Sequence, residues 1–160
     1  MKILLTLILL LIALFFVVGV MLSLASRQGA PAGLLDGRLQ PCPGTPNCVN
    51  SEYPQEEGYV EPLEFEGDAG AAWGRAQTVV KEMGGGISKV TNGYLAATFK
   101  STLFRFVDDV ELRLDESGGV IHIRSASRVG RSDLGVNRKR VEALRRSFTE
   151  LASGEKLPQN

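Results

Sequence analysis

The stretch Phe104-Arg105-Phe106-Val107-Asp108-Asp109-Val110-Glu111-Leu112-Arg113-Leu114 decides how this chain folds. Phe104, Phe106, Val110, Leu112 and Leu114 share one parity, while Arg105, Asp109, Glu111 and Arg113 share the other. That is the period of two expected of a strand with one buried face. Asp108 departs from it, because its parity places a carboxylate on the apolar side. Asp115–Gly119 reads as a turn, and Val120–Ser125 as the returning partner strand, with Ile121 and Ile123 facing one way and His122 and Arg124 the other. Upstream, Ile87–Val90 and Tyr94–Lys100 flank Thr91-Asn92-Gly93, a hairpin-type turn because Asn-Gly tolerates positive φ. Tyr59-Val60 and Leu63-Glu64-Phe65 add a short strand signal, and Pro62 argues for an edge position.

Two helical patterns bracket these strands. Asp68 occupies an N-cap position ahead of Ala72, Trp73, Ala76, Val79, Val80 and Met83, one apolar stripe at spacings of three and four. Gly84-Gly85-Gly86 ends that helix; following a helix, it is punctuation and not a phosphate cradle. The second helix is expected over Val136–Ala152, with Val141, Leu144, Phe148 and Leu151 as its stripe and Gly154 just beyond. Amphipathic helices and half-buried strands must cover each other's apolar faces. The predicted fold is therefore α+β in two layers, an antiparallel sheet of about five strands with both helices on one face.

Ahead of this domain, Ile3–Leu22 is an uncharged apolar run with Thr6 its one polar side chain, long enough as a helix to span the roughly 30 Å of bilayer hydrocarbon. Lys2 and Arg27 flank it, so the positive-inside rule favours an N-in orientation only slightly. Ser23-Leu24-Ala25 has the small-x-small form of a signal-peptidase site, and a retained signal-anchor and a cleaved export signal both stay open. Either sends the rest of the chain to the extracytoplasmic side, as a tethered or a secreted protein. The expected organisation is a transmembrane or export segment at 1–25, an extended Pro/Gly-rich arm at 26–58, the α+β domain at 59–152 and a flexible tail at 153–160.

Eighteen basic residues balance eighteen acidic ones, which does not support a nucleic-acid partner. The two cysteines, Cys42 and Cys48, lie either side of a Pro/Gly-rich turn. In an oxidising compartment they are disulfide candidates; free thiols and a redox or metal role are the alternatives. The single histidine, His122, is remote in sequence, the cysteine spacing is not that of a zinc pair, and neither a metal nor a cofactor is expected.

Two groups carry chemical potential. Asp108-Asp109 point to opposite sides of a strand, so they do not form a carboxylate dyad without a bulge. Asp108 in particular needs a partner such as Arg124, Arg128 or backbone N–H groups. The second group is the basic, hydroxyl-rich region from Arg124 to Arg146. Here Ser125, Ser127, Arg128, Arg131 and Ser132 sit just ahead of a helix start, where free N–H groups and forked guanidinium donors suit an anion. The competing reading makes Arg138, Lys139 and Arg140 a solvated helix face and Asp133 a helix cap or the partner of Arg131. His122 reads as a satisfied or exposed strand residue in preference to a general base, and Trp73 as core.

Three blocks resemble the domain-of-unknown-function family numbered 1499, DUF1499: Cys42-Pro43-Gly44-Thr45-Pro46-Asn47-Cys48-Val49-Asn50-Ser51, the run Phe104–Glu111, and the run Arg124–Val141. The resemblance covers roughly residues 39–151 and implies no activity. It marks Cys42, Cys48, Asp108, Asp109, Ser125, Ser127, Arg128, Asp133, Asn137 and Arg138 as family-pattern positions. Arg124, Ser125, Ser127, Arg128, Asn137 and Arg138 then form the candidate ligand-binding set. The expected function is that of a membrane-tethered extracytoplasmic module binding a small anionic ligand, a lipid headgroup or an envelope protein. One alternative is an envelope hydrolase or transferase using Asp108 or Asp109, with Arg124 and Arg128 stabilising negative charge. A purely structural envelope protein is the third.

Overall fold

The computed structural model describes residues 1–154; the part of the expected tail from residue 155 on lies outside the described residues. Helix α1 (Lys2–Arg27) is followed by β1 (Leu34–Leu35), β2 (Arg38–Leu39), β3 (Cys48–Asn50), β4 (Leu63–Glu64) and α2 (Ala69–Glu82). Then come β5 (Gly86–Thr91), β6 (Tyr94–Lys100), β7 (Val107–Asp115), β8 (Val120–Ser127) and α3 (Val136–Ala152). The main sheet has six antiparallel strands in the order β3-β8-β7-β6-β5, with β4 also paired to β8. β1 and β2 form a separate hairpin.

The chain is thus α+β with an apolar N-terminal helix, and local chemistry sets its boundaries. Asp68 accepts from the Ala71 N–H at 2.6 Å and starts α2, while Gly84, at φ +83, lets the chain leave it. Asp115 accepts from the Ser117 hydroxyl at 2.7 Å and the Gly118 N–H at 2.9 Å, closing the β7–β8 turn. One face of the sheet presents Leu95, Ala97, Phe99, Val110, Leu112, Ile121 and Ile123 to the stripes of α2 and α3, and these residues form the main core. α1 is long and apolar enough to cross a membrane, with a mean hydropathy of 3.3 over its most apolar window.

Two expectations differ from the structure. The stretch 26–58, read as an extended arm, belongs in its second half to the fold: β3 joins the sheet beside β8, and Leu39, Asn47, Val49, Asn50, Ser51 and Glu52 are buried. With this segment the sheet is covered on both faces, Leu39 packing with Tyr94 and Ala96 on the side opposite the helices. The segment shows no sequence period because much of its backbone is satisfied residue by residue. Leu39 N–H donates to Glu52 at 3.1 Å, Gly33 N–H to Glu111 at 2.6 Å, and Asn50 Nδ2 donates to the Gln40 carbonyl at 2.8 Å.

The second difference is the start of β7. The strand begins at Val107, not at Phe104, because Arg105 adopts a left-handed conformation (φ +61) and the chain turns there. Ser101 N–H donates to the Phe106 carbonyl, and Phe106 N–H to the Ser101 hydroxyl, both at 2.9 Å. Phe104 leaves the sheet and packs on Phe15 and Phe16 of α1.

Glu52 organises the non-helical face. Its fully buried carboxylate receives Arg113 Nε at 2.5 Å, Arg38 Nε at 2.7 Å and the Leu39 N–H. Burial alone would raise its pKa, but Arg113, Arg38 and Leu39 outweigh burial and hold it below the ordinary glutamate value of 4.5. A depressed carboxylate pKa gives stability that is complete above the unfolded value and lost as pH falls through the folded one. The imidazole of His122, lowered chiefly by burial, adds acid sensitivity of the same sign beginning below about 6.5. Thermal melts of the full chain in detergent should therefore show stability falling from pH 6.5 to below 4.5. Glu52→Gln should be less stable at pH 7 and show a flatter acid limb, and an unchanged acid limb would contradict the assignment.

Candidate functional site

Strand parity divides the predicted site residues between two polar systems. On the helix-covered face, Asp108, Ser125 and Ser127 meet the first turns of α3. Arg140 Nη2 donates to Asp108 at 2.6 Å, and its Nη1 to Asn137 Oδ1 at 2.5 Å and the Ser125 hydroxyl at 3.1 Å. Ser125 also donates to Asn137 Oδ1 at 2.5 Å. The Asn137 amide donates onward to the Ser127 hydroxyl and the Asn47 carbonyl, each at 3.0 Å. Asp133 caps α3, accepting from the N–H groups of Gly135 at 3.0 Å and Asn137 at 2.6 Å. The network joins β7, β8, the start of α3 and the cysteine loop.

The opposite face holds Arg124 and Arg128. Arg128 makes a bidentate contact with Asp109 at 2.7 and 2.8 Å, and the carboxylate raises the guanidinium pKa. Arg124 donates to Glu111 at 3.0 Å. The same glutamate accepts from the Tyr94 hydroxyl at 2.7 Å, and burial together with that contact pushes the phenol well above its usual range. The expected pairing of Asp108 with Arg124 or Arg128 is thus replaced by pairing with Arg140. Parity sends both expected partners to the far side, while Arg140 lies one helical turn from Asn137 on the same face of α3. Arg140 is accordingly not part of a solvated face. Arg138, the exposed member of the set, donates to the backbone carbonyls of Tyr59 and Glu57.

The fold also creates a Ser–His–Asp series that the sequence spacing does not suggest. Ser51 Oγ lies 3.2 Å from His122 Nδ1, and His122 Nε2 lies 4.0 Å from Asp115. Ser51 is 3 % exposed and its oxygen accepts the Ile123 N–H at 2.8 Å, so no substrate carbonyl can reach it. This series pins β8 to the segment covering it. Among the described residues no three His, Cys, Asp or Glu side chains converge as a metal cage.

A cleft of about 380 Å³ lies where the cysteine loop meets the start of α3, lined by Cys42, Thr45, Pro46, Glu57, Asp133 and Arg138, among others. Cys42 and Cys48 form a disulfide, with Cα atoms 5.7 Å apart. Closing so short a loop contributes about 2 kcal/mol in the chain-entropy account. Gly58, also on the wall, has no room for a side chain: a Cβ would lie 2.6 Å from the Cys48 carbonyl oxygen. Cys42, Cys48, Asp133 and Arg138 bring residues of the first and third sequence blocks to one surface, whereas Arg124 and Arg128 lie across the sheet from it. Glu56, Glu57 and Asp133 face Arg138 here, so the cleft is acidic on balance.

An α+β domain with a disulfide loop seated against a helix start, carried behind a long apolar helix, is the class of protein that these features define. The chain belongs to DUF1499: the family model described as "Protein of unknown function (DUF1499)" matches residues 38–148, more than half of its length. No curated protein and no solved structure matches it.

The buried Asp108–Arg140 pair gives a test of structural against chemical roles. Removing either partner strands a buried charge and should cost about 3 kcal/mol. The double variant Asp108→Ala/Arg140→Ala should cost clearly less than the two single changes summed, measured by urea unfolding of the full chain in detergent. Additive losses would show that the two side chains do not act as a pair.

Proposed function

We propose that this chain is a membrane-anchored extracytoplasmic binding module whose apolar helix is retained and whose ligand is a segment of an envelope protein. The observation that carries the reading is the continuity of α1 with the domain. Ser26, fully buried in the last turn of α1, accepts the Val107 N–H through its hydroxyl at 3.1 Å and Arg128 Nη1 through its carbonyl at 3.2 Å. Ser23, in the small-x-small sequence, is helical and buried as well. Signal peptidase needs an extended, accessible substrate, and cleavage after Ala25 would remove a helix that the domain packs against. The Cys42–Cys48 disulfide supports an oxidising compartment for the domain.

The cleft supports the binding half of the reading. Strand register puts Cys48, Ser127 and Val107 at the end of the sheet from which α1 departs; with α1 as the anchor, the cleft would be at the membrane-proximal end of the domain. Its acidic lining and the prior engagement of Arg138 favour a basic or hydrogen-bond-donating segment over a free anion. The hydrolase or transferase alternative draws less support, since Asp108 and Asp109 are each held by an arginine and neither lines this cleft.

Two measurements test the reading. The chain recovered from membranes after alkaline extraction should have the intact 17.3 kDa mass, and a species beginning at Ser26 would overturn retention. A photoreactive residue placed at Thr45 in cells should yield a discrete adduct that Glu56→Lys/Glu57→Lys weakens several-fold. An absent or insensitive adduct would contradict partner binding at the cleft.

A further inference from the structure

We propose that the turn joining β6 to β7, residues 101–106, is a second membrane-inserted element, seated on α1 and buried in the leaflet nearest the domain. This rests on the retained anchor proposed above. Phe104 packs against Phe15 with ring centroids 5.4 Å apart and against Phe16 at 5.9 Å, and Phe106 follows it at 5.6 Å. Gly19 is buried, and it is the seat of the ring: a Cβ there would lie 2.4 Å from the Phe104 ring edge. If the apolar run ends at Leu22, Gly19 lies about 4–5 Å and Phe15 about 10 Å inside the hydrocarbon, at a rise of ~1.5 Å per residue. The turn that reaches them is therefore below the same boundary.

The composition of the turn agrees with that depth. Leu103 at its tip is 70 % exposed in the protein alone and is next in sequence to Phe104, which packs on the apolar surface of α1. Lys100, paired with Val107, and Arg27, next to the Ser26–Val107 contact, stand at the base of the turn, and Arg105 lies within it; all three are exposed, and long basic side chains can reach headgroups while their stems lie along apolar surface. The positive φ of Arg105 turns the chain between Phe104 and Phe106. The Ser101–Phe106 hydrogen bonds close the base of the turn and satisfy the N–H groups of both residues. Continuity with the lipid-facing surface of α1 assigns the bilayer as the occupant of this apolar surface.

The test uses the full chain with its disulfide intact, labelled with an NBD thiol probe at Leu103→Cys and reconstituted in phosphatidylcholine vesicles with or without doxyl-labelled lipid. Parallel probes stand at Leu14→Cys within α1 and at Val90→Cys at the far end of the sheet. The expected result is loss of NBD intensity with doxyl lipid at positions 103 and 14, and none at 90. Quenching at 14 without quenching at 103 overturns the inserted turn and leaves the anchor standing; no quenching at either overturns both. A blue-shifted but unquenched probe at 103 means that protein, such as a second copy of the chain, covers the turn, and this also overturns the proposal. Gly19→Leu should reduce quenching at 103 while leaving position 14 unchanged, and unaltered quenching at 103 in that variant overturns the seat on α1.

Discussion

The sheet at the centre of this molecule carries carboxylates on both faces, and both faces are removed from water. Asp108, Asp109, Glu111 and Glu52 are all buried, and each reaches an arginine within 3.0 Å. An unpaired charge in such a position would shift its protonation state or destabilise the fold by several kcal/mol. The elements around these carboxylates therefore bring guanidinium or backbone N–H groups to them. α3 supplies Arg140 to Asp108, the chain before β3 supplies Arg38 and the Leu39 N–H to Glu52, and β8 with the residue that follows it supplies Arg124 and Arg128 across to β7. The pairs do not add up to exceptional stability, because desolvation offsets much of the Coulomb gain. What they impose is register, since a one-residue slip of β7 against β8 would leave all of these charges facing the wrong partners.

This constraint explains why the arginines that looked available for a ligand are already engaged. Arg124 and Arg128 stand in a basic, serine-rich block, which in isolation resembles an anion site. In the folded chain their charge is used by Glu111 and Asp109. The surface proposed for recognition is instead the cleft between the cysteine loop and α3, where acidic groups outnumber the basic one. Ser125, Ser127 and Asn137 lie behind that cleft and position its two walls, with Asn137 binding the Asn47 carbonyl beside Cys48.

The strands and helices were largely legible because their apolar residues recur with periods of two and of three or four. Asp68, Gly84 and the Asp115 turn act through contacts within a few residues of themselves, so their boundaries could be read locally. The cover formed by residues 28–53 was not legible, because its order comes from single long-range contacts such as Gly33 with Glu111 and Arg38 with Glu52. The same holds for the site. Parity correctly marked Asp108 as a carboxylate on the core side and separated it from Asp109. It could also have excluded Arg124 as a partner, since the register places Arg124 opposite Glu111 on the other face. Arg140 was hidden inside the Arg138-Lys139-Arg140 run, where only the helical spacing from Asn137 distinguishes it.

The junction with α1 follows from the same economy of contacts. Arg128 sits just past the end of β8, and its guanidinium meets both Asp109 and the Ser26 carbonyl, so the charge that closes the sheet also holds the end of α1. Gly29 packs so closely on Arg128 that a Cβ would lie 2.9 Å from its Cδ, which keeps the chain leaving α1 against the sheet. β8 continues from Ser127, bonded through its N–H to the Asn47 carbonyl, into the segment that Asp133 caps onto α3. One strand thus links the helix exit, the disulfide loop and the cleft through contacts that are short and mostly buried. A domain joined to its anchor by a free tether would sample many orientations above a bilayer. If α1 is the anchor proposed above, a domain joined in this way holds its cleft at a set height and direction, which would suit a partner that is itself fixed in the membrane plane.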